Sequence, residues 1–211
     1  MRNENQKTAR IAGMWWLLFI VIGPISYLVV DGKLLVPDNP VATLSNISSN
    51  KTLFWAGVVA FLAGYTCFIL LAKTLCKLFK QEDHKLKKWM LGLVIAGAGL
   101  VVFGKAAEIT AAIAGDVERA TYLFDLRTNL EMVGELFWGL WLVPLVILIF
   151  KSDLLPKLLG GVLVLAAAYH LTAFGAFIIT GTDVSTNPVL TILGMGELVM
   201  SLWLVIKGVQ N

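Results

Sequence analysis

The sequence contains a series of long apolar segments, each about twenty residues in length, separated by short polar segments. An α-helix of about twenty residues is long enough to cross the roughly 30 Å hydrocarbon core of a bilayer. Because lipid offers no hydrogen-bond partner to a backbone, such segments must be helical. The sequence therefore predicts an all-α polytopic membrane protein with six transmembrane helices in a single domain, residues 1–211. The predicted spans are residues 11–30, 53–76, 89–114, 130–150, 158–180 and 189–206.

The composition agrees with a membrane protein and excludes several other classes. Hydrophobic residues make up 58% of the chain and charged residues 15%, whereas a soluble domain has about 25% charged residues. The net charge of +3 comes from basic residues in short loops, so no nucleic-acid partner is predicted. Cys67 and Cys76 lie nine residues apart in one apolar segment, roughly 13 Å along a helix, which is too far for a disulfide.

The distribution of Lys and Arg predicts the orientation. With six spans, both termini and the second and fourth loops share one side of the membrane, and most basic residues lie there. The other side contains only Lys33, Lys51, Arg119 and Arg127. Cytoplasmic loops are enriched in Lys and Arg, so both termini are predicted to be cytoplasmic.

Ionisable residues interrupt four of the predicted spans. A charged group at membrane depth costs about 2–4 kcal/mol on insertion scales, so it is expected to face a partner or a water-filled cavity. Counted along the helices, these residues lie at similar depth, in the outward half of the bilayer. The sequence therefore predicts an outward-facing intramembrane polar pocket above a closed inner half. The candidate pocket residues are Lys105, Glu108, Glu131, Glu135, His170 and Glu197.

Two of these acids lie in a repeated motif. The sequence GELFWGLW occupies residues 134–141 and GELVMSLW occupies residues 196–203. The repeat indicates that the hairpin of the third and fourth spans is related to that of the fifth and sixth. Glycine and alanine residues flank the acids, and small residues allow helices to approach closely in lipid.

The predicted pocket has an excess of negative charge. Glu108, Glu135 and Glu197 oppose Lys105, and bare charges are not tolerated in a low dielectric. Compensation is expected from protons on the carboxylates, a protonated His170, a cation or metal, or a cationic ligand.

Simpler interpretations stand beside this one. Lys105 and Glu108 are spaced as a structural ion pair, Glu135 and Glu197 could hold helices together, and His170 could be an ordinary core residue. No metal site is predicted, because no His-x-x-x-His, His-Glu-x-x-His or Glu-x-x-His spacing occurs.

Two further expectations concern the helices themselves. The tryptophans near span ends, Trp15, Trp16, Trp55 and Trp89, are interpreted as interfacial anchors. Only prolines 24 and 144 are expected to interrupt helices, and no polar group is placed in the inner half, so alternating access is not predicted.

Several motifs together resemble one protein family. They are ARIAG at Ala9–Gly13, Gly23-Pro24, LLVPDNPVAT at Leu34–Thr43, LPKLLGGVL at Leu155–Leu163 and the closing GELVMSLWLVIKG. Over nearly its full length the chain resembles the small bacterial multi-pass membrane proteins of the domain-of-unknown-function 4386 family. The resemblance implies a six-helix protein of the bacterial cytoplasmic membrane and assigns no activity to any residue.

Three functional hypotheses follow. The first is a binding or transport-related protein that takes a small molecule, a lipid headgroup or a cation into the pocket. The second is a membrane-embedded enzyme that uses a buried carboxylate as general acid or base. The third is a structural or accessory subunit in which the charges hold helices together. The sequence leaves the cofactor and the oligomeric state open.

Overall fold

The computed structural model describes residues 2–182, 184 and 187–210. The chain is 87% helical, and no strand occurs among the described residues. This confirms the predicted all-α class. The helices are α1 (Arg2–Pro24), α2 (Gly32–Leu34), α3 (Pro40–Ser49), α4 (Lys51–Leu78), α5 (His84–Ala114), α6 (Val117–Lys151), α7 (Lys157–Thr180), α8 (Pro188–Gly194) and α9 (Gly196–Ile206).

Five segments are long and apolar enough to cross a membrane. They are Asn3–Leu34, Lys51–Leu78, His84–Ala114, Val117–Lys151 and Lys157–Thr180. The region of the predicted sixth span, Leu190–Ile206, is also apolar but shorter. The sixth span and the cytoplasmic position of the termini stay predictions.

The two ends of the helical bundle differ in character. At one end, here called the basic end, the Gln6 side chain donates a 2.6 Å hydrogen bond to the backbone of Lys207. The backbone N–H of Gln210 reaches the carbonyl of Leu154 at the same end. The opposite end carries α3 and the α5–α6 turn, and is here called the α3 end.

Helix α1 does not stop where the sequence predicts. Beyond Pro24 it widens into a π-helical segment, Ile25–Asp31, which passes directly into α2. Proline lacks the N–H that an α-helical turn needs, and π-helical turns are frequent at functional sites. The predicted loop start at Asp31 is therefore wrong, and the helical geometry turns the Asp31 side chain into the bundle, where it is buried.

The predicted loop at residues 115–129 is also wrong. Gly115, with φ of 65°, ends α5, and Asp116 caps α6 by accepting a hydrogen bond from the N–H of Arg119. Helix α6 then runs unbroken from Val117. Its polar first turns stay helical because one face, with Ala120 and Arg127, is buried against the bundle.

The tryptophan interpretation needs one correction. Trp16 is fully buried, and its ring lies 5.4 Å from that of Trp141 between ring centroids. It is a core residue rather than an interfacial anchor. Trp55 and Trp89 are exposed.

The last predicted span is broken at Met195, between α8 and α9. A Cβ at Gly196 would lie 2.5 Å from the backbone oxygen of Val162 on α7, so only glycine allows this close approach. Pro144, by contrast, lies within the continuous α6. The expectation that only the two prolines interrupt helices is therefore wrong.

Candidate functional site

The six predicted pocket residues lie in two separate clusters. The first, the ion-pair cluster, contains three of them together with two residues that the sequence did not suggest; its members are Asp31, Lys105, Glu108, Arg127 and Glu131. The second, the Glu–His–Glu triad, contains Glu135, His170 and Glu197. The triad lies near the middle of α6 and α7, and the ion-pair cluster lies nearer to the α3 end.

In the ion-pair cluster, each cation contacts more than one carboxylate. Lys105 Nζ lies 2.7 Å from Glu108 Oε2 and 3.4 Å from Asp31 Oδ2. Arg127 Nη2 lies 2.6 Å from Asp31 Oδ2 and 3.0 Å from Glu131 Oε1, and its Nε lies 2.7 Å from Glu108 Oε2. The Lys105–Glu108 ion pair proposed from the sequence is present within a larger network.

Four of the charged residues in this network are buried. Lys105 and Glu108 are each 1% exposed, and Asp31 and Arg127 are each 8% exposed. Buried charges are tolerated only when they are paired and hydrogen-bonded. The cluster ties the π-helical segment to α5 and α6.

Asp31 and Arg127 were missed because both were assigned to loops. The one sequence signal available was the spacing of Arg127 and Glu131, which are four residues apart and so share a helix face. Asp31 directly follows the last apolar residue of the first run, and only the continued helix places it inside the bundle.

The triad centres on one imidazole. His170 Nδ1 lies 2.6 Å from Glu135 Oε2, and its Nε2 lies 2.9 Å from Glu197 Oε1. Trp16 Nε1 donates a 3.1 Å hydrogen bond to Glu197 Oε2. The triad and Trp16 thus link helices α1, α6, α7 and α9.

This arrangement explains the repeated motif. Its glutamates, Glu135 and Glu197, hold the two nitrogens of the same histidine. The first glycine of each copy lies at a close helix contact, since a Cβ at Gly134 would lie 2.6 Å from the Val101 side chain and one at Gly196 would meet α7.

The proton count of the triad follows from its hydrogen bonds. Each nitrogen–oxygen contact needs one proton, and a neutral imidazole donates only one. Either His170 is an imidazolium between two carboxylates, or one glutamate is protonated beside a neutral imidazole. Both states have a net charge of −1.

A cavity of about 590 Å³ adjoins the triad. Its wall contains Glu131, Glu135, His170 and Glu197, whereas Lys105 and Glu108 are not part of it. The remaining described lining residues are Phe19, Ile20, Gly23, Pro24, Tyr27, Leu28, Phe61, Gly64, Tyr65, Met132, Trp138, Tyr169, Thr191, Gly194, Met195 and Leu198.

A second cavity, of about 740 Å³, lies at the α3 end. It is lined by the loop before α3 and by the first turns of α6, including Asp125 and Arg127. Arg127 borders this cavity and Glu131 borders the first, so the ion-pair cluster lies between the two.

Metal binding at the triad would require nitrogen or oxygen atoms that are free to coordinate an ion. Both nitrogens of His170 contact carboxylates, and no group of three or more His, Cys, Asp or Glu side chains within the described ranges is arranged to hold a metal ion.

Five long apolar helices around buried charged residues fit an integral membrane protein. More specifically, the chain belongs to the family defined by a domain of unknown function, DUF4386, whose model matches residues 11–208. No curated protein and no solved structure matches the chain.

Proposed function

We propose that this protein resides in the bacterial cytoplasmic membrane, with both termini in the cytoplasm, and binds a small molecule, a lipid or a cation in the cavity beside the triad. One observation carries the proposal. The cavity has the volume of an ordinary ligand site, roughly 300–1,000 Å³, and four ionisable side chains line its wall.

The contrast with the ion-pair cluster supports this proposal. Lys105 and Glu108 neutralise each other within the packed bundle and are not part of the cavity wall. Glu135 and Glu197, however, are held at a cavity wall. An ionisable residue within a membrane-spanning segment is costly and is a functional-site candidate by default.

The position of the cavity supports ligand access from outside the cell. Glu131 lies in the half of α6 nearer to the α3 end and Glu135 lies at its middle, and the distribution of Lys and Arg favours the α3 end as the exterior one. A ligand would then reach the site without crossing the packed aromatic core around Trp16 and Trp141.

Filling the cavity tests the proposal. Gly23 lines the cavity, and a Cβ there has no neighbour within 4 Å, so Gly23→Leu is expected to reduce the free volume. Gly92→Leu is the matched control, because Gly92 is equally unobstructed but lies on the exposed surface away from the cavity.

Native mass spectrometry of protein released from nanodiscs provides the measurement. The wild type and Gly92→Leu should retain a non-protein mass that Gly23→Leu loses. Equal occupancy in all three proteins, or no bound mass in any, would contradict the proposal and favour an accessory subunit.

The triad also supports an enzymatic function as a second candidate. A carboxylate that orients an imidazole is a common arrangement for general acid–base chemistry, and His170 has such a partner in Glu135. If the protein is an enzyme, the retained mass should change chemically during incubation with the wild type but not with His170→Gln.

A further inference from the structure

In the two clusters beside the cavity, acidic side chains outnumber basic ones. In the ion-pair cluster, Asp31, Glu108 and Glu131 face Lys105 and Arg127. In the triad, two glutamates share one histidine. Each group therefore has one more acid than base, and the described cavity wall contains Glu and His but neither Lys nor Arg.

Aromatic rings surround these acids. Tyr27 donates a 3.3 Å hydrogen bond to Glu131, and its ring lies 6.0 Å from that of Phe61. Phe61 in turn lies 4.7 Å from Tyr65, and Tyr65 stacks on Trp138 at 6.3 Å. Cations of the protein already lie over two of these rings: Lys105 Nζ is 5.0 Å from the Phe61 ring centroid, and Arg127 Cζ is 5.9 Å from that of Tyr27. Tyr65 and Trp138 are therefore the rings that could attract the ammonium group of a ligand, since ring faces attract such groups.

Surface-exposed residues from two separate pairs of helical segments line the cavity. One side is formed by α1 and the π-helical segment, where Leu28 is 77% exposed. The other side is formed by α8 and α9, with Met195, which is also exposed, between them. On a membrane-spanning bundle, exposed apolar residues of this kind face lipid chains.

We propose that the ligand is an amphiphilic amine, whose ammonium group lies among Glu131, Glu135 and Glu197 and whose hydrocarbon chain passes between α1 and α8 into the bilayer. The net negative charge selects a cation, the aromatic rings favour an ammonium group, and the apolar opening accepts a chain. This inference rests on the proposed function and specifies its ligand class.

Three probes with the same chain and different head groups test the charge requirement. They are dodecylamine, dodecanol and dodecanoate, each titrated into the protein in a neutral maltoside detergent and followed by native mass spectrometry. Dodecylamine should bind at least tenfold more tightly than either of the others. Equal binding of the three probes would overturn the inference while leaving ligand binding intact.

Two matched variants test the position of the charge. Glu135→Gln keeps a side chain that can hydrogen-bond to His170 and should weaken dodecylamine binding at least tenfold. Glu118→Gln removes the same charge from an exposed position on the same helix and should bind dodecylamine like the wild type. Equal affinities in the two variants would overturn the inference.

A third variant separates this failure from failure of the proposed function. Gly23→Leu retains every acid but narrows the cavity, so it should lose binding of all three probes. If its affinity for each probe matches that of Gly92→Leu, the cavity is not the binding site and the proposed function fails as well.

The amine could be a membrane lipid or a free amphiphile. Protein is reconstituted with phosphatidylethanolamine and phosphatidylglycerol, and the retained lipid is identified by mass. Phosphatidylethanolamine enriched on the wild type and Glu118→Gln, but not on Glu135→Gln, identifies a lipid headgroup. Selective dodecylamine binding without that enrichment identifies a free amine, and phosphatidylglycerol enrichment that depends on Glu135 would contradict both.

Discussion

Two polar clusters lie next to each other in this bundle, yet their surroundings differ. In the ion-pair cluster, Lys105 and Arg127 each contact two or more carboxylates, and these ion pairs join α5, α6 and the π-helical segment. In the triad, a single histidine joins two carboxylates at a cavity wall. The first arrangement suits stability, and the second leaves room for a ligand.

Glu131 connects the two. It forms an ion pair with Arg127 and also lines the cavity beside Glu135. The comparison therefore shows that the charged residues of these apolar helices do not all have the same surroundings. We expect a role in stability for the charges that neighbouring helices neutralise, and a role in binding for those beside the cavity.

The largest effect is expected from Arg127→Met. Removing one partner of a buried ion-pair network leaves uncompensated charges and costs about 3–5 kcal/mol. For a chain of this size, the loss corresponds to a melting temperature lower by on the order of 10 °C, measured by thermal unfolding in detergent.

Arg119→Met is the control for this variant, because Arg119 is exposed on the same helix. It should melt within about 2 °C of the wild type, since exposed substitutions usually have small effects. If the two variants melt alike, the ion-pair cluster is not a structural element and the comparison between the clusters fails.

An intermediate effect is expected from Gly196→Ala. The added Cβ would lie 2.5 Å from the Val162 backbone oxygen, so α9 must move away from α7 and carry Glu197 away from His170. Overpacking of this kind costs about 1–3 kcal/mol, and thermal unfolding measures it.

Two other glycine-to-alanine substitutions serve as comparisons for Gly196→Ala. Gly134→Ala meets only the Val101 side chain and should cost less, while Gly161→Ala meets nothing within 4 Å. The latter should be stabilising by about 0.5–1 kcal/mol, because alanine favours a helix over glycine. A Gly196→Ala protein as stable as Gly161→Ala would show that the triad does not depend on this close contact.

The smallest effect is expected from Trp16→Phe, compared with Trp203→Phe. Both substitutions reduce buried ring area, but only Trp16 loses a hydrogen bond to the triad. In the described part of the chain, Trp203 Nε1 has no hydrogen-bond partner. Trp16→Phe should therefore be less stable than Trp203→Phe by about 1 kcal/mol, measured by the same unfolding experiment.

Equal losses from the two tryptophan variants would show that the hydrogen bond to Glu197 contributes nothing to stability. The triad would then be held by His170 alone. This outcome would strengthen the contrast with the densely connected ion-pair cluster.

Some of the candidate site could be predicted from the sequence because local patterns are enough to reveal it. The acids stand out within apolar segments, and the repeated Gly-Glu-Leu motif marks Glu135 and Glu197 as a pair. Their separation into two clusters could not be predicted. Asp31 and Arg127 lie 96 residues apart in the chain, and no local pattern relates them.

The sequence by itself determined the helical class, since long apolar segments allow no other backbone in lipid, and it marked the buried acids as exceptional. Only the tertiary structure decided which charge neutralises which. Ion pairs and hydrogen bonds act over a few ångströms. The rotation of each helix, the π-helical segment after Pro24 and the break at Met195 set those distances.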